Sequence, residues 1–153
     1  MKPLIVLPGV FTIALLIARF TTGSWHLFFS GNLAMCLMLF LTAAGHFMFT
    51  KGMMLMIPSF LPYKAALVYL TGVLEILLGA ALLVPALRVP AGYILILFFA
   101  LLLPCNIYAA MQHLNMEKAA YDGPGPRYLW FRVPLQLLFT GWVYYFSVYL
   151  ASN

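Results

Sequence analysis

Acidic side chains are nearly missing from this sequence. Its 153 residues contain 3 Asp and Glu, 8 Lys and Arg, and charged residues of 7% in all, against about 25% in soluble domains. A soluble domain of this length cannot cover its surface with so few polar groups, and intrinsic disorder needs even more of them. Cysteine is also scarce. Cys36 and Cys105 both lie in apolar runs, with no Cys-x-x-Cys and no Cys/His set at metal spacing, so neither a structural zinc nor a dithiol centre is expected. The net charge of +5 comes from scattered cations, the densest group being Arg127 and Arg132. Nucleic acid is therefore excluded as a partner, because no basic stripe exists to track phosphates.

What is present is apolar: 65% of the residues are hydrophobic. A bilayer core needs about 20 such residues per helix. Five segments qualify, at roughly 4–20, 32–49, 65–84, 90–111 and 129–150. Turn signals fall between them at Thr21-Thr22-Gly23-Ser24, Ser30-Gly31-Asn32, Lys51-Gly52, Pro58 to Pro62, Pro85 to Pro90 and Asp122-Gly123-Pro124-Gly125-Pro126. The runs are continuously apolar and too long for barrel strands. Helices satisfy their own backbone in lipid. The expected fold is all-α, an integral membrane bundle of five transmembrane helices forming a single domain, 1–153. The first span resembles a signal peptide in its Lys2 and apolar stretch. Arg19 follows that run and Pro8-Gly9 interrupts it, so the span is expected to be retained. The Met53 to Pro58 stretch is too short to cross and reads as interfacial or re-entrant.

Placing the N-terminus in the cytoplasm puts Lys2, Lys51, Lys64, Lys118, Arg127 and Arg132 on that side and Arg19 and Arg88 on the other. The cation asymmetry predicts N-in topology. The expected location is the bacterial inner membrane.

Polar side chains at membrane depth are costly and belong in the bundle interior with a partner. Glu75 falls at the middle of the third span, where a carboxylate costs about 2.5–3.5 kcal/mol on insertion scales. His46, Asn106, Arg132 and Gln136 fall in the cytoplasmic third of three other spans. Arg132 and Gln136 share a helix face, and Thr71 lies one turn before Glu75. These six residues are the candidate ligand-binding set, expected to converge in one buried cluster in which Glu75 meets Arg132 or His46. The same residues can act as glue between helices, at about 0.6 kcal/mol per hydrogen bond. No catalytic residue and no metal ligand is assigned. The small residues Gly72, Gly79 and Ala80 read as packing devices, and Pro104 as a kink beside Asn106.

Several short motifs occur in a telling order. They are Gly45-His46-Phe47 with Pro58-Ser59-Phe60-Leu61-Pro62, Thr71-Gly72-Val73-Leu74-Glu75-Ile76 with Leu82-Leu83-Val84-Pro85, Pro104-Cys105-Asn106-Ile107-Tyr108-Ala109, and Arg132-Val133-Pro134-Leu135-Gln136 with Trp142. From Ala44 to Tyr145 the chain resembles DoxX-like membrane proteins. The resemblance implies a four-helix core made of spans two to five. It also implies kinship with accessory subunits of sulfur- or quinone-linked oxidoreductases, and with animal chaperones of receptor-channel assembly. A quinone is then a possible cofactor, although none is assigned from the residues themselves, and no cysteine pair is present for thiol chemistry.

The leading expectation is a protein that is not an enzyme on its own. It would bind membrane lipid, a small lipid-like or amphipathic molecule, a membrane partner or a second copy through the buried cluster. The alternatives are an accessory subunit of a quinone-linked oxidoreductase and a proton-coupled carrier using Glu75.

Overall fold

A computed structural model describes residues 2–152. Met1 and Asn153, the two ends of the expected domain, lie outside the described residues, as do the side chains of Lys2 and Ser152. Helix α1 spans Lys2–Thr22 and α2 spans Leu27–Met48. The short α3 covers Thr50–Leu55, α4 Lys64–Ala81 and α5 Pro85–Met111. A 3₁₀ turn at Gly125–Tyr128 leads into α6, Leu129–Val143. That helix runs on through a π-helical segment, Tyr144–Tyr149, to Leu150–Ser152. Among the described residues there is no strand, and one antiparallel bridge, Asn115 with Ala120, shapes the α5–α6 loop. Among the described residues four helices, α1, α2, α4 and α5, are long and apolar enough to cross a membrane.

The helices alternate in direction, so the bundle has two ends. One holds the Gly23 turn and the α4–α5 turn. The other holds α3 and the loop around Asp122. Gly23 stops α1 with φ +72, a left-handed conformation that glycine adopts without Cβ strain. Thr12, Thr21 and Thr22 return their hydroxyls to carbonyls one turn back, hiding their polarity on an apolar helix.

Among the expected boundaries, two shift for a visible reason, and the Lys51-Gly52 turn signal falls inside α3. Ser30-Gly31-Asn32 reads as a turn in sequence but forms buried early turns of α2. The Asn32 amide donates to the Phe28 carbonyl one turn back (2.8 Å) and to Phe146 across the bundle (3.0 Å), so the residue is spent on the helix and not on a turn. The sequence places the start of the fourth span at 90, but α5 starts at Pro85. Proline fits the first helical position, where no N–H donor is needed. Pro90 and Pro104 then lie inside this helix of about 40 Å. The Met53 to Pro58 stretch contains the end of α3, with Met56 buried against Ala109 and Leu114.

The core runs along α2, with Met35, Met38 and Leu39 facing Leu78 of α4, Leu95 of α5 and Val143 of α6. Close approach depends on missing side chains. A Cβ at Gly72 would stand 2.9 Å from His46 Cβ, and one at Gly79 3.4 Å from Leu39 Cβ. These two glycines, seven residues apart on one face of α4, set the α2–α4 contact.

Candidate functional site

The α2–α4 contact positions the first polar group. Glu75 is 4% exposed and His46 9%. Gly72, one turn before Glu75, lets the His46 stem lie directly on α4, which brings His46 Nδ1 to 3.6 Å from Glu75 Oε2. Nδ1 also lies 3.1 Å from the Thr42 carbonyl oxygen, and the Thr42 hydroxyl neighbours the Glu75 carboxyl. Glu75 Oε2 is buried without a hydrogen-bond partner. Thr71, expected in the same set, stays out of it: its hydroxyl donates to Leu67 and Val68 of its own helix, both at 2.9 Å. Phe47 and Tyr69 stack at 5.8 Å on the neighbouring surface of α2 and α4.

The second group belongs to α5 and α6. Arg132 Nη2 donates to Asn106 Oδ1 at 2.7 Å, and Asn106 Nδ2 donates to Gln136 Oε1 at 3.4 Å. Gln136 Nε2 donates to the Phe99 carbonyl, next to the carbonyl that Pro104 leaves without its helical donor. The Arg132 guanidinium stands 5.9 Å from the Tyr128 ring. Asn106, Arg132 and Tyr128, with Met56, Leu114 and Gly125, line a cavity of about 30 Å³.

Five of the six expected residues are thus engaged, but in two groups. Among the described residues no hydrogen bond or ion pair joins Glu75 to Arg132. The reason is helix order. α4 packs on α2 and α5, whereas α6 packs on α5 and α2. α4 and α6 therefore meet through α2 and α5 and hardly touch each other, which keeps the carboxylate from the guanidinium. Arg132 has an amide as its partner, and Glu75 has His46. His46 and Glu75 line neither the cavity at Arg132 nor a larger one at the Gly23 end. Among the described residues no three His, Cys, Asp or Glu side chains gather as metal ligands would.

The Gly23 end carries polar residues that sequence reasoning missed. Asn32 is fully buried, and its Oδ1 accepts from Ser147 Oγ at 2.8 Å. Trp142 Nε1 donates to the Gly31 carbonyl at 3.0 Å. Both contacts are made at or near the π-helical segment, whose Phe146 carbonyl also accepts from Asn32. Arg88, read in sequence as a loop cation, is 7% exposed. Its Nε donates to Leu82 (2.7 Å) and its Nη2 to Leu83 (3.2 Å), covering the open carbonyls after α4, and its guanidinium lies 4.3 Å from the Phe28 ring. In sequence Arg88 carried no sign of this burial, since a cation between two spans reads as a topology marker. The π segment carried no sign either. Beside it opens the larger cavity, of about 430 Å³, walled by Trp25, His26, Phe28, Phe29, Tyr145 and Phe146. At the opposite end Lys118 Nζ meets Asp122 Oδ2 at 3.1 Å. That hydrogen bond holds the Asp122 carboxyl below its ordinary pKa.

A family model described as Domain of unknown function (DUF8561) matches residues 35–147, a stretch that holds both polar groups. No curated protein and no solved structure matches the chain.

Proposed function

The chain belongs to the DUF8561 family, and we propose that it is a bacterial inner-membrane protein that binds the anionic head of a small amphipathic or lipid-like molecule at Arg132, Asn106 and Gln136. Five spans cross the bilayer in this reading, the fifth being α6 with its π segment. The Asp122 end faces the cytoplasm. It carries Lys51, Lys64, Lys118 and Arg127, as cytoplasmic loops do. The likeness to DoxX-like proteins fits a core of α2, α4, α5 and α6, with α1 as an addition.

One observation carries the binding site. Arg132 lines a cavity and is met there by a neutral amide, not by a carboxylate. A guanidinium has five N–H donors and no acceptor. Among the described residues Asn106 takes one of them and the Tyr128 ring lies 5.9 Å away, which leaves donors for a carboxylate or phosphate oxygen in a fork geometry. The cavity of about 30 Å³ is large enough for one or two waters, or for the oxygens that would displace them. Its Met56 and Leu114 walls suit the first methylenes of a tail that continues into lipid.

The test is a titration of delipidated protein with phosphatidylglycerol and, separately, phosphatidylcholine, read by native mass spectrometry and thermal shift. Phosphatidylglycerol should bind more tightly and raise the melting temperature. Arg132→Gln should weaken it about 10- to 150-fold, the equivalent of a lost charged hydrogen bond of about 1.5–3 kcal/mol. Equal binding by the variant and the wild type refutes the site.

A second role is supported by the other group. Glu75 Oε2 is buried, lacks a hydrogen-bond partner and lies 3.6 Å from His46 Nδ1. Two ionisable groups this close take up and release protons as a unit, which suits a proton-coupled carrier. Infrared difference spectra across a pH step should show a carboxyl band that Glu75→Gln removes. A spectrum with no such band rejects proton binding at this pair.

A further inference from the structure

The cavity at the Gly23 end takes no part in anion binding at Arg132 or in proton binding at Glu75, and its construction is specific. Its volume of about 430 Å³ lies within the range of pockets that hold one small molecule. The π segment builds one wall. An added residue in a helical turn rotates every later side chain about the axis, so Tyr145 and Phe146 line the cavity while Ser147 and Val148, at 1% and 4% exposure, turn into the core. Asn32 locks that register through the Phe146 carbonyl and Ser147 Oγ. Gly31 and Gly92 admit it: a Cβ at Gly31 would stand 2.3 Å from Phe146 Cδ1, and one at Gly92 2.9 Å from Val148 Cγ2. Such π turns recur at functional sites. Phe146 is held in place this way without any ligand.

Charge then selects the ligand. Two of the wall rings already have a guanidinium against them, Arg19 at 5.8 Å from Trp25 and Arg88 at 4.3 Å from Phe28. Aromatic cages attract cations through the negative faces of their rings. Here the cations stand against wall rings without lining the cavity themselves: Arg19 donates to the Gly23 carbonyl and Arg88 to Leu82 and Leu83. His26, its Nε2 bonded to the Ser24 and Thr22 hydroxyls, adds a polar group to the wall. The three acids of the chain are elsewhere, Glu75 within α4 and Glu117 and Asp122 in the loop at the opposite end. The field in this cavity repels a quaternary ammonium and attracts an anion. From this we propose that the aromatic cavity binds a single-chain anionic amphiphile of the fatty-acid class. The chain lies among Trp25, Phe29, Tyr145 and Phe146, and the carboxylate sits towards Arg19 and His26.

Full-length protein in neutral detergent, carrying Trp130→Phe to silence a tryptophan at the other end, is titrated with dibromostearate, and tryptophan quenching is followed. Trp25 lies in the wall, and the Trp142 ring meets Phe146 at 4.8 Å, tilted by 42°. Quenching should saturate, be reversed by oleate, and be at least about 10-fold weaker with dibromostearate methyl ester. Arg19→Gln, on an exposed side chain, should weaken the acid by a similar factor and leave the ester unchanged. Phe29→Ala, at a half-exposed wall position, should weaken both. Quenching that rises linearly, that is matched by a dibrominated phosphatidylcholine, or that treats acid and ester alike overturns the proposal. Persistence of full affinity in both variants does so too.

Discussion

Replacing Gly52 with alanine is the sharpest test of how the Asp122 end is held together. A Cβ at that position would stand 1.9 Å from the Met116 carbonyl oxygen and 2.8 Å from Met116 Cα. The obstacle is backbone, so no side-chain rotation relieves it. Ordinary van der Waals contact begins at about 3.4 Å, and the loop carrying Met116 must therefore lift by about 1.5 Å or α3 must tilt away. Overpacking of this kind costs about 3 kcal/mol at the upper end of its usual range. Alanine in a helix returns about 1 kcal/mol relative to glycine. The net loss is about 2 kcal/mol, or a fall of about 4–8 °C in melting temperature for a chain of this size. Because Met116 also lines the cavity beside Arg132, limited proteolysis should cut residues 112–124 faster in Gly52→Ala. Gly141→Ala is the matched control. Nothing lies within 4 Å of its Cβ, so it should melt unchanged or higher. If Gly52→Ala melts at or above the wild type with its loop equally protected, the packing argument fails.

The remaining polar contacts lead to further expected outcomes. Asn32→Leu should destabilise by about 1–3 kcal/mol, because the Phe146 carbonyl and Ser147 hydroxyl both lose their buried partner. Ser147→Ala strands one acceptor, Asn32 Oδ1, and should lose less, about 1 kcal/mol; equal losses in denaturation curves would contradict this assignment. Arg88→Met keeps the length of the side chain but withdraws two donors from Leu82 and Leu83, so a loss of about 1–3 kcal/mol is expected, with faster exchange at the α4–α5 turn. Glu75→Gln retains shape and removes the charge, and should melt at or above the wild type; a lower melting point would show that the ionised pair holds the helices. Asp122 should titrate by NMR below the ordinary carboxylate value and move up in Lys118→Gln. Its folded pKa is lowered, so the pair contributes above the ordinary carboxylate range and loses that contribution as pH falls through the lowered value.

The helices themselves were legible because apolar runs of this length leave the backbone no other way to satisfy its hydrogen bonds. Glu75 stood out for the same reason: one acid within a long apolar run must face inward, and it is 4% exposed. Ser30-Gly31-Asn32 misled because these residues favour turns through local side-chain bonds. Asn32 makes such a bond, to Phe28, but from inside a helix. Arg88 misled because a cation between two spans counts as a topology marker until its side chain is seen folded over the carbonyls after α4.

Which polar group meets which was not written in any run or motif. Depth along a helix follows from counting residues, and it placed His46, Glu75, Asn106 and Arg132 at similar levels. Partnership also needs the order of helices around the bundle and the rotation of each about its axis. The small residues Gly72 and Gly31 allow close contact without naming the neighbour. The sequence alone determined an all-helical apolar chain with a carboxylate in its interior. Only the tertiary structure set α4 and α6 apart, each packed on α2 and α5, assigning Glu75 to His46 and Arg132 to Asn106, and opened the aromatic cavity beside the π turn. The physical reason is that a helix secures its own backbone locally, whereas a side chain's partner depends on which other helices pack against its face.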